Sequence, residues 1–156
     1  MTGELTLEQS GDESIDYGPL SNSLGFLLRI AQLRNFDQFY SRLGDSGLRP
    51  GEFSVMWLIY LNPGIRQGQL GRILSIKPAH MTKVVRRLED LGRLERRIPE
   101  EDRRSVRLSL TDKGRHFVQA HEADFFGEDS YHNHGLTQKE TETFIRLLRK
   151  YGGFTA

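Results

Sequence analysis

The chain of 156 residues contains no cysteine. Disulfide bonds, thiolate zinc sites and redox sensing through a cysteine are therefore excluded. No apolar run approaches the roughly 18 residues needed to cross a bilayer, and the acidic amino terminus has no apolar signal-peptide core. We expect a cytoplasmic protein.

Motifs of the common enzyme classes are also missing. We find no glycine-rich phosphate loop, no nucleophile elbow and no pair of histidine ligands on a helix, so we expect neither an enzyme nor a bound cofactor. His121, His132 and His134 have imidazoles that suit zinc. Their spacing matches no compact metal motif, and solvated loop histidines are the interpretation that we prefer.

Charge is distributed unevenly along the chain. Residues 66–107 hold 12 Lys and Arg against 6 Asp and Glu, a net charge of +6. Because the whole chain carries +1, the remaining residues carry −5. A basic middle within an acidic frame is typical of a protein with one surface for a polyanion. A solvated basic face without a partner is the alternative.

The hydrophobic pattern predicts a mainly α-helical fold with a small β-ribbon. We expect a flexible acidic leader at 1–18 and a single domain at 19–156. The predicted helices span about 20–43, 50–61, 67–74, 78–91, 112–126 and 137–151. The first has too wide an apolar stripe to pack on one neighbour, so it requires either a central position or a partner chain.

The third and fourth helices are separated by about three residues, which is the spacing of a helix-turn-helix. The apolar residues of the fourth helix follow one face. Its opposite face and its start carry polar and cationic side chains of the kind that contact base edges and phosphates in a major groove. These candidate DNA-binding residues are Lys77, His80, Thr82, Lys83 and Arg86.

A two-stranded ribbon is predicted next, with strands at about 93–98 and 105–110. The alternation of Val106, Leu108 and Leu110 with polar residues predicts a half-buried strand, and Leu94 and Ile98 are expected to point inward. Arg103 and Arg104 lie at the turn of the ribbon, where arginine suits the negative potential of a narrow minor groove. Thr111 is placed to cap the following helix.

These features together resemble the MarR family of winged helix-turn-helix repressors. The resemblance covers roughly residues 20–150, with a DNA-binding lobe at about 50–111 and dimerisation helices at about 20–43 and 112–151. It is carried by the helix 77–92, the pair Asp102-x-Arg104, the run Leu108-Ser-Leu-Thr-x-x-Gly114, the start Leu48-x-Pro50-x-x-Phe53 and the break Pro63-Gly64.

The resemblance implies a homodimer that binds double-stranded DNA at a pseudo-palindromic operator, with half-sites ~10 base pairs apart. It implies that Arg104 reads the minor groove and that Asp102 pairs with a basic residue of the recognition helix, here Arg87. The family often has Ser or Thr at Ala79 and His80, and this departure leaves the operator sequence open.

The resemblance also implies a small-molecule effector, commonly an aromatic anion, that releases a repressor from its operator. The first helix is similar to the branch of the family that senses aromatic acids and their thioesters. The candidate effector-binding residues are Arg29, Arg34, Phe53, Trp57 and His116. Core packing of the tryptophan and ion pairing of the two arginines within the dimer are the alternatives. An architectural DNA-binding protein or an activator without ligand control is the alternative function.

Overall fold

The computed structural model describes residues 15–127 and 135–154, which form a mainly helical protein with a small antiparallel sheet. The predicted fold class is confirmed. Most of the predicted acidic leader, together with His132 and His134, lies outside the described residues. The chain divides after Pro50 into two compact units.

The first unit is dominated by one long helix, α1 (Leu24–Leu43), which lies between two short 3₁₀ turns (Gly18–Asn22 and Gly44–Ser46). The end of α1 agrees with the prediction. Its start is later than predicted, because Pro19 belongs to the first 3₁₀ turn and Ser23 takes an extended conformation (φ −74°, ψ 115°) before the helix begins. Several large apolar side chains of this unit are exposed, namely Leu20, Leu24, Leu27 and Leu33.

The second unit contains the remaining elements. They are α2 (Glu52–Leu61), β1 (Ile65–Arg66), α3 (Gln67–Ile73), α4 (Pro78–Asp90), β2 (Leu94–Arg97), β3 (Arg107–Leu110), α5 (Asp112–Ala120), α6 (Glu122–Phe126) and α7 (Gln138–Tyr151). The predicted fifth helix is thus two helices, since the backbone leaves the helical region at His121 (φ −106°, ψ 8°). A capping box between Thr137 and Glu140 starts α7.

The second predicted helix begins two residues later than expected. Pro50 lies in the turn before α2, and Gly51 is the residue that precedes the helix, with φ 87°. Side chains rarely tolerate this left-handed conformation, so a glycine is suited to the position. Pro50 therefore indicated correctly that a helix begins nearby, but the proline is not the first residue of that helix.

The sheet has the strand order β1-β3-β2, and both pairings are antiparallel. The strand β1, which pairs Ile65 with Leu108, was not predicted because two residues carry no recognisable alternation. Leu94 is buried as expected. The inward orientation predicted for Ile98 is wrong: β2 ends one residue earlier and this side chain is 58% exposed.

The core of the second unit is made by the apolar sides of α2, α4, α5 and the strand β3. Burial of these side chains is the main favourable contribution to folding. The fully buried residues include Phe53, Met56, Ile59, Leu70, Met81, Val85, Leu88, Leu108 and Val118.

The end of α4 and the start of α5 are joined by a set of short contacts. Gly92 adopts φ 67° and the Arg93 amide donates to Leu88 O at 3.0 Å, which is the pattern of a glycine-terminated helix. The Thr111 hydroxyl donates to Gly92 O at 2.7 Å and accepts from the Gly114 amide at 3.1 Å. One threonine therefore caps α5 and also binds the chain that leaves α4.

Gly114 is required at this junction for a steric reason. A Cβ atom at this position would overlap the carbonyl oxygen of Arg93, which itself accepts a hydrogen bond from the Thr111 amide at 3.2 Å. The run Leu-Thr-x-x-Gly thus has a structural explanation: threonine provides the cap, and glycine permits the close approach.

We predict that Gly114→Ala lowers the free energy of unfolding by about 2 kcal/mol or more, because backbone atoms must move to relieve the overlap. The measurement is urea denaturation followed by circular dichroism. Gly68→Ala is the matched control, since this helical glycine has open space around it, and alanine is expected to be neutral or stabilising there by up to about 1 kcal/mol. Equal stability of the Gly114→Ala variant and the wild type would contradict the steric argument.

Candidate nucleic-acid interface

The helix-turn-helix is formed by α3, α4 and the short turn between them. Ser75 is in the left-handed region at φ 52°, and the Ile76 amide donates to Gly71 O at 2.8 Å, which closes the turn. Pro78 is the first residue of α4, where its missing N–H has no cost. Met81, Val84, Val85 and Leu88 are buried, so the opposite face of α4 is directed to solvent.

The residues predicted to contact DNA lie on that exposed face or at the start of α4. Lys77, His80, Thr82, Lys83 and Arg86 are all exposed. Arg103 and Arg104 are exposed on the loop between β2 and β3, which is the wing. These positions agree with the predicted geometry, and their contacts with DNA remain a prediction.

Thr82 differs from its neighbours because its hydroxyl is already engaged. It donates to Pro78 O at 3.0 Å and accepts from Gln67 Nε2 at 3.2 Å. Gln67 lies at the first position of α3 and was not among the residues predicted from the sequence. This hydrogen bond links the two helices of the helix-turn-helix at their amino-terminal ends.

The predicted ion pair between Asp102 and Arg87 is wrong. Asp102 of the wing lies 3.8 Å from Arg66 of β1, in a largely exposed pair. Arg87 instead donates from Nε to Glu52 Oε1 at 3.1 Å. The reason is burial: the Glu52 side chain is only 4% exposed and requires a cation, whereas Asp102 remains accessible to water.

A second cation lies near the same carboxylate. Burial lowers the pKa of Arg93 from its ordinary value, the charge of Glu52 partly opposes this change, and the charge of Arg87 adds to it. The Arg93 guanidinium also lies 3.7 Å from the ring centre of Phe117 on α5, in a cation–π contact. Neither Glu52 nor Arg93 was identified from the sequence, because a charged residue in an amphipathic pattern normally indicates solvent.

The two aromatic residues predicted for an effector site belong to a larger cluster. The rings of Phe53 and Trp57 on α2 are 6.3 Å apart. Phe53 also stacks on Phe125 at 4.3 Å, and Trp57 meets Phe126 edge-on at 4.7 Å. Phe53 is fully buried, Trp57 is half-buried and Phe126 is 43% exposed, so only the outer part of this aromatic cluster is accessible to a ligand.

The other candidate effector residues are exposed. His116 lies on the solvent side of α5, and Arg29 and Arg34 lie on α1 in the first unit. His121, the described member of the predicted histidine set, bonds Asp124 through Nδ1 at 2.9 Å. Within residues 15–127 and 135–154, no group of three or more His, Cys, Asp or Glu side chains is placed to hold a metal ion.

A helix-turn-helix with an exposed polar and cationic second helix, followed by a β-ribbon with arginines at its turn, defines a winged helix-turn-helix protein. In the part of the chain that the structure describes, no helix is long and apolar enough to cross a membrane.

Comparison with known proteins agrees with this architecture. The sequence profile of the MarR family matches residues 48–106. A putative transcriptional regulatory protein for the hcr operon of Thauera aromatica is 30% identical over 135 residues, which cover 86% of this chain and 81% of that protein. An HTH-type transcriptional repressor of Mycobacterium tuberculosis is 30% identical over 129 residues, covering 83% and 93% of the two chains.

A solved structure is similar over nearly the whole chain. The transcriptional repressor CouR bound to a 23-mer DNA duplex is 29% identical, with a TM-score of 0.81, and the match covers 90% of this chain and 99% of that one. CouR bound to p-coumaroyl-CoA matches with 26% identity and a TM-score of 0.78 over the same shares. The chain belongs to the MarR family of transcriptional regulators, as its wing and recognition-helix motifs predicted.

The corrected ion pairs make a testable prediction. Substituting both Arg87→Ala and Glu52→Gln should give a change in unfolding free energy that departs from the sum of the single changes by about 0.5–3 kcal/mol, because the two side chains interact directly. Arg87→Ala and Asp102→Ala should add within about 0.5 kcal/mol. Urea denaturation of the single and double variants measures the coupling of Arg87 to each acid. Coupling to Asp102 without coupling to Glu52 would reject the ion pair between Arg87 and Glu52.

Proposed function

We propose that this chain is a sequence-specific, double-stranded DNA-binding repressor that acts as a homodimer and is released by a small aromatic anion. The observation that carries the proposal is the exposed polar and cationic surface of α4 and the wing, on a chain whose fold matches the DNA-bound CouR repressor over 90% of its length.

The proposed DNA contacts follow from the chemistry of the exposed side chains. The recognition helix α4 enters the major groove, where Arg86 suits the two acceptors of guanine and His80 suits either a base or a phosphate. Lys77 and Lys83 provide cations for the phosphate backbone. Arg103 and Arg104 bring the wing to the flanking minor groove, where a narrow groove concentrates negative potential.

The homodimer is supported by exposed apolar side chains at both ends of the chain. Large apolar side chains left exposed in groups on a helix often mark a protein interface. The exposed residues are Leu24, Leu27 and Leu33 on α1, and Phe144, Leu147, Leu148 and Tyr151 on α7. Two-fold symmetry then pairs the protein with a pseudo-palindromic operator whose half-sites are separated by about one helical turn of DNA, ~10 base pairs.

An aromatic anion is the effector class that the described residues favour. The exposed parts of Trp57 and Phe126 offer stacking surface, with His116 as a hydrogen-bonding candidate. Arg29 and Arg34 on α1 are exposed cations whose charge suits an anionic ligand. CouR binds p-coumaroyl-CoA, which has an aromatic acyl group and a polyanionic carrier. An effector that favours the released state by about 1–3 kcal/mol weakens operator binding by roughly 5–150-fold.

The experiment begins with selection of bound duplexes from a random library by the full chain, followed by fluorescence anisotropy with the selected duplex. We expect one bound dimer per palindrome, strong discrimination against shuffled duplexes, and release on adding p-coumarate or p-coumaroyl-CoA. Binding without sequence preference would instead indicate an architectural protein. Sequence-specific binding that no aromatic acid or thioester weakens would reject the proposed aromatic effector. An increase in transcription when the protein is bound would indicate an activator.

The wing assignment predicts the effect of Arg104→Ala. Loss of a minor-groove arginine should weaken binding of the selected duplex by about 1–3 kcal/mol. Anisotropy titrations at one fixed salt concentration provide the measurement. Lys139→Ala on α7 removes an exposed cation outside the recognition helix and wing, and should leave affinity nearly unchanged. Equal affinities of the Arg104→Ala variant and the wild type would reject the wing contact.

The single tryptophan allows a direct test of the effector assignment. Binding of p-coumaroyl-CoA near Trp57 should change the intrinsic fluorescence of the chain. Arg29→Ala should require a higher ligand concentration for the same fluorescence change, and it should bind the selected duplex normally. Arg29→Lys keeps the positive charge, so its fluorescence response should be closer to that of the wild type. An unchanged fluorescence response in Arg29→Ala would remove this arginine from the ligand site.

A further inference from the structure

The hydroxyl of Thr82 has little remaining capacity to read DNA. A threonine hydroxyl carries one donor hydrogen and two acceptor lone pairs. Its hydrogen is directed to Pro78 O at 3.0 Å, and one lone pair accepts from Gln67 Nε2 at 3.2 Å. Only one lone pair is left for any further partner.

This arrangement excludes several DNA contacts for Thr82 in its observed conformation. Phosphate oxygens and the major-groove atoms N7 and O6 of guanine are acceptors, as are N7 of adenine and O4 of thymine. A hydroxyl whose hydrogen is already donated cannot bind any of them. Apart from the one remaining lone pair, the group of Thr82 left for contact is its methyl group.

A second methyl group lies one helical turn earlier. Ala79 is also exposed, and residues three apart are neighbours on a helix surface. Both residues lie in the amino-terminal half of α4, which is the part of a recognition helix that approaches base edges. The neighbouring exposed side chains His80, Lys83 and Arg86 are polar, so Ala79 and Thr82 form a small apolar patch within a polar face.

We infer that Thr82, with Ala79 beside it, is a specificity-determining residue that recognises the C5-methyl group of thymine in each operator half-site. Thymine is the only base with a methyl group in the major groove, and apolar contact is the interaction that distinguishes it. Gln67 is the positioning residue, because its side chain helps to hold the Thr82 hydroxyl within the protein. This inference rests on the proposed DNA-binding function and identifies one base of the operator that the recognition helix would read.

The test uses the full chain and the duplex that it selects from a random library. Each thymine of the half-sites is replaced in turn by deoxyuridine, which lacks only the C5-methyl group. The affinity of the wild-type protein should fall about fourfold for each contacted thymine that is replaced. This is the effect expected when one methyl group is no longer withdrawn from water at the interface. Replacing the symmetry-related thymines in both half-sites should lower affinity by roughly 15-fold if the two contacts are independent.

Two substitutions separate the methyl group from the hydroxyl. Thr82→Val keeps a methyl group and removes the hydroxyl, so it should keep the preference for thymine over deoxyuridine at that position. Thr82→Ser keeps the hydroxyl and removes the methyl group, so its preference for thymine should fall well below that of the wild type, with only the Ala79 methyl group left. Because Thr82 is exposed, both variants should fold, and circular dichroism verifies this.

Each contrary outcome identifies what failed. Wild-type protein that binds its selected duplex with no thymine preference at any position overturns the inference but leaves the proposed function intact. A preference that is undiminished in Thr82→Ser shows that another group reads the base and overturns the inference. A preference that disappears in Thr82→Val shows that the hydroxyl reads the base and also overturns it. Failure of the wild type to select any duplex overturns the proposed function itself.

Discussion

The close approach between the start of α5 and the end of α4 is the constraint on which the DNA-facing half of the molecule depends. Thr111 caps α5 while binding the carbonyl of Gly92, and Gly114 leaves room for the carbonyl of Arg93. Since β2 leaves from this junction and β3 returns to it, the same contacts set the wing beside the recognition helix. Arg104 lies on the exposed loop between these two strands.

A second constraint acts on the same, carboxyl-terminal end of the recognition helix. The buried carboxylate of Glu52 binds Arg87 in the last turn of α4. A buried charge without a partner is costly, so this pair maintains the alignment of α4 on α2 even though its net contribution to stability is small. The next residue, Phe53, stacks in the aromatic cluster. One turn of α2 thus contacts both the recognition helix and the rings proposed for effector binding.

Much of this arrangement could be predicted from local patterns, and the failures have physical causes. The periodicity of α4 separates buried Met81 and Leu88 from exposed Lys83 and Arg86 without reference to the rest of the chain. The predicted pairing of Arg87 with Asp102 failed because the partner of Arg87 is Glu52, a residue of α2 that becomes buried on folding, and sequence spacing does not reveal burial. Charged residues that become buried are the ones that hydrophobic patterning assigns to solvent.

The helix-turn-helix, the wing and the family follow from the amino-acid sequence alone, because they depend on short-range periodicity, turn residues and a motif contained in thirteen residues, 102–114. The pairing of Arg87 with Glu52, the contact of Phe126 of α6 with Trp57, and the hydrogen bond from Gln67 to the Thr82 hydroxyl arise only from tertiary packing. Those contacts join residues 15 to 69 positions apart in the chain. Their partners are selected by distance and burial after packing, which local sequence patterns do not encode.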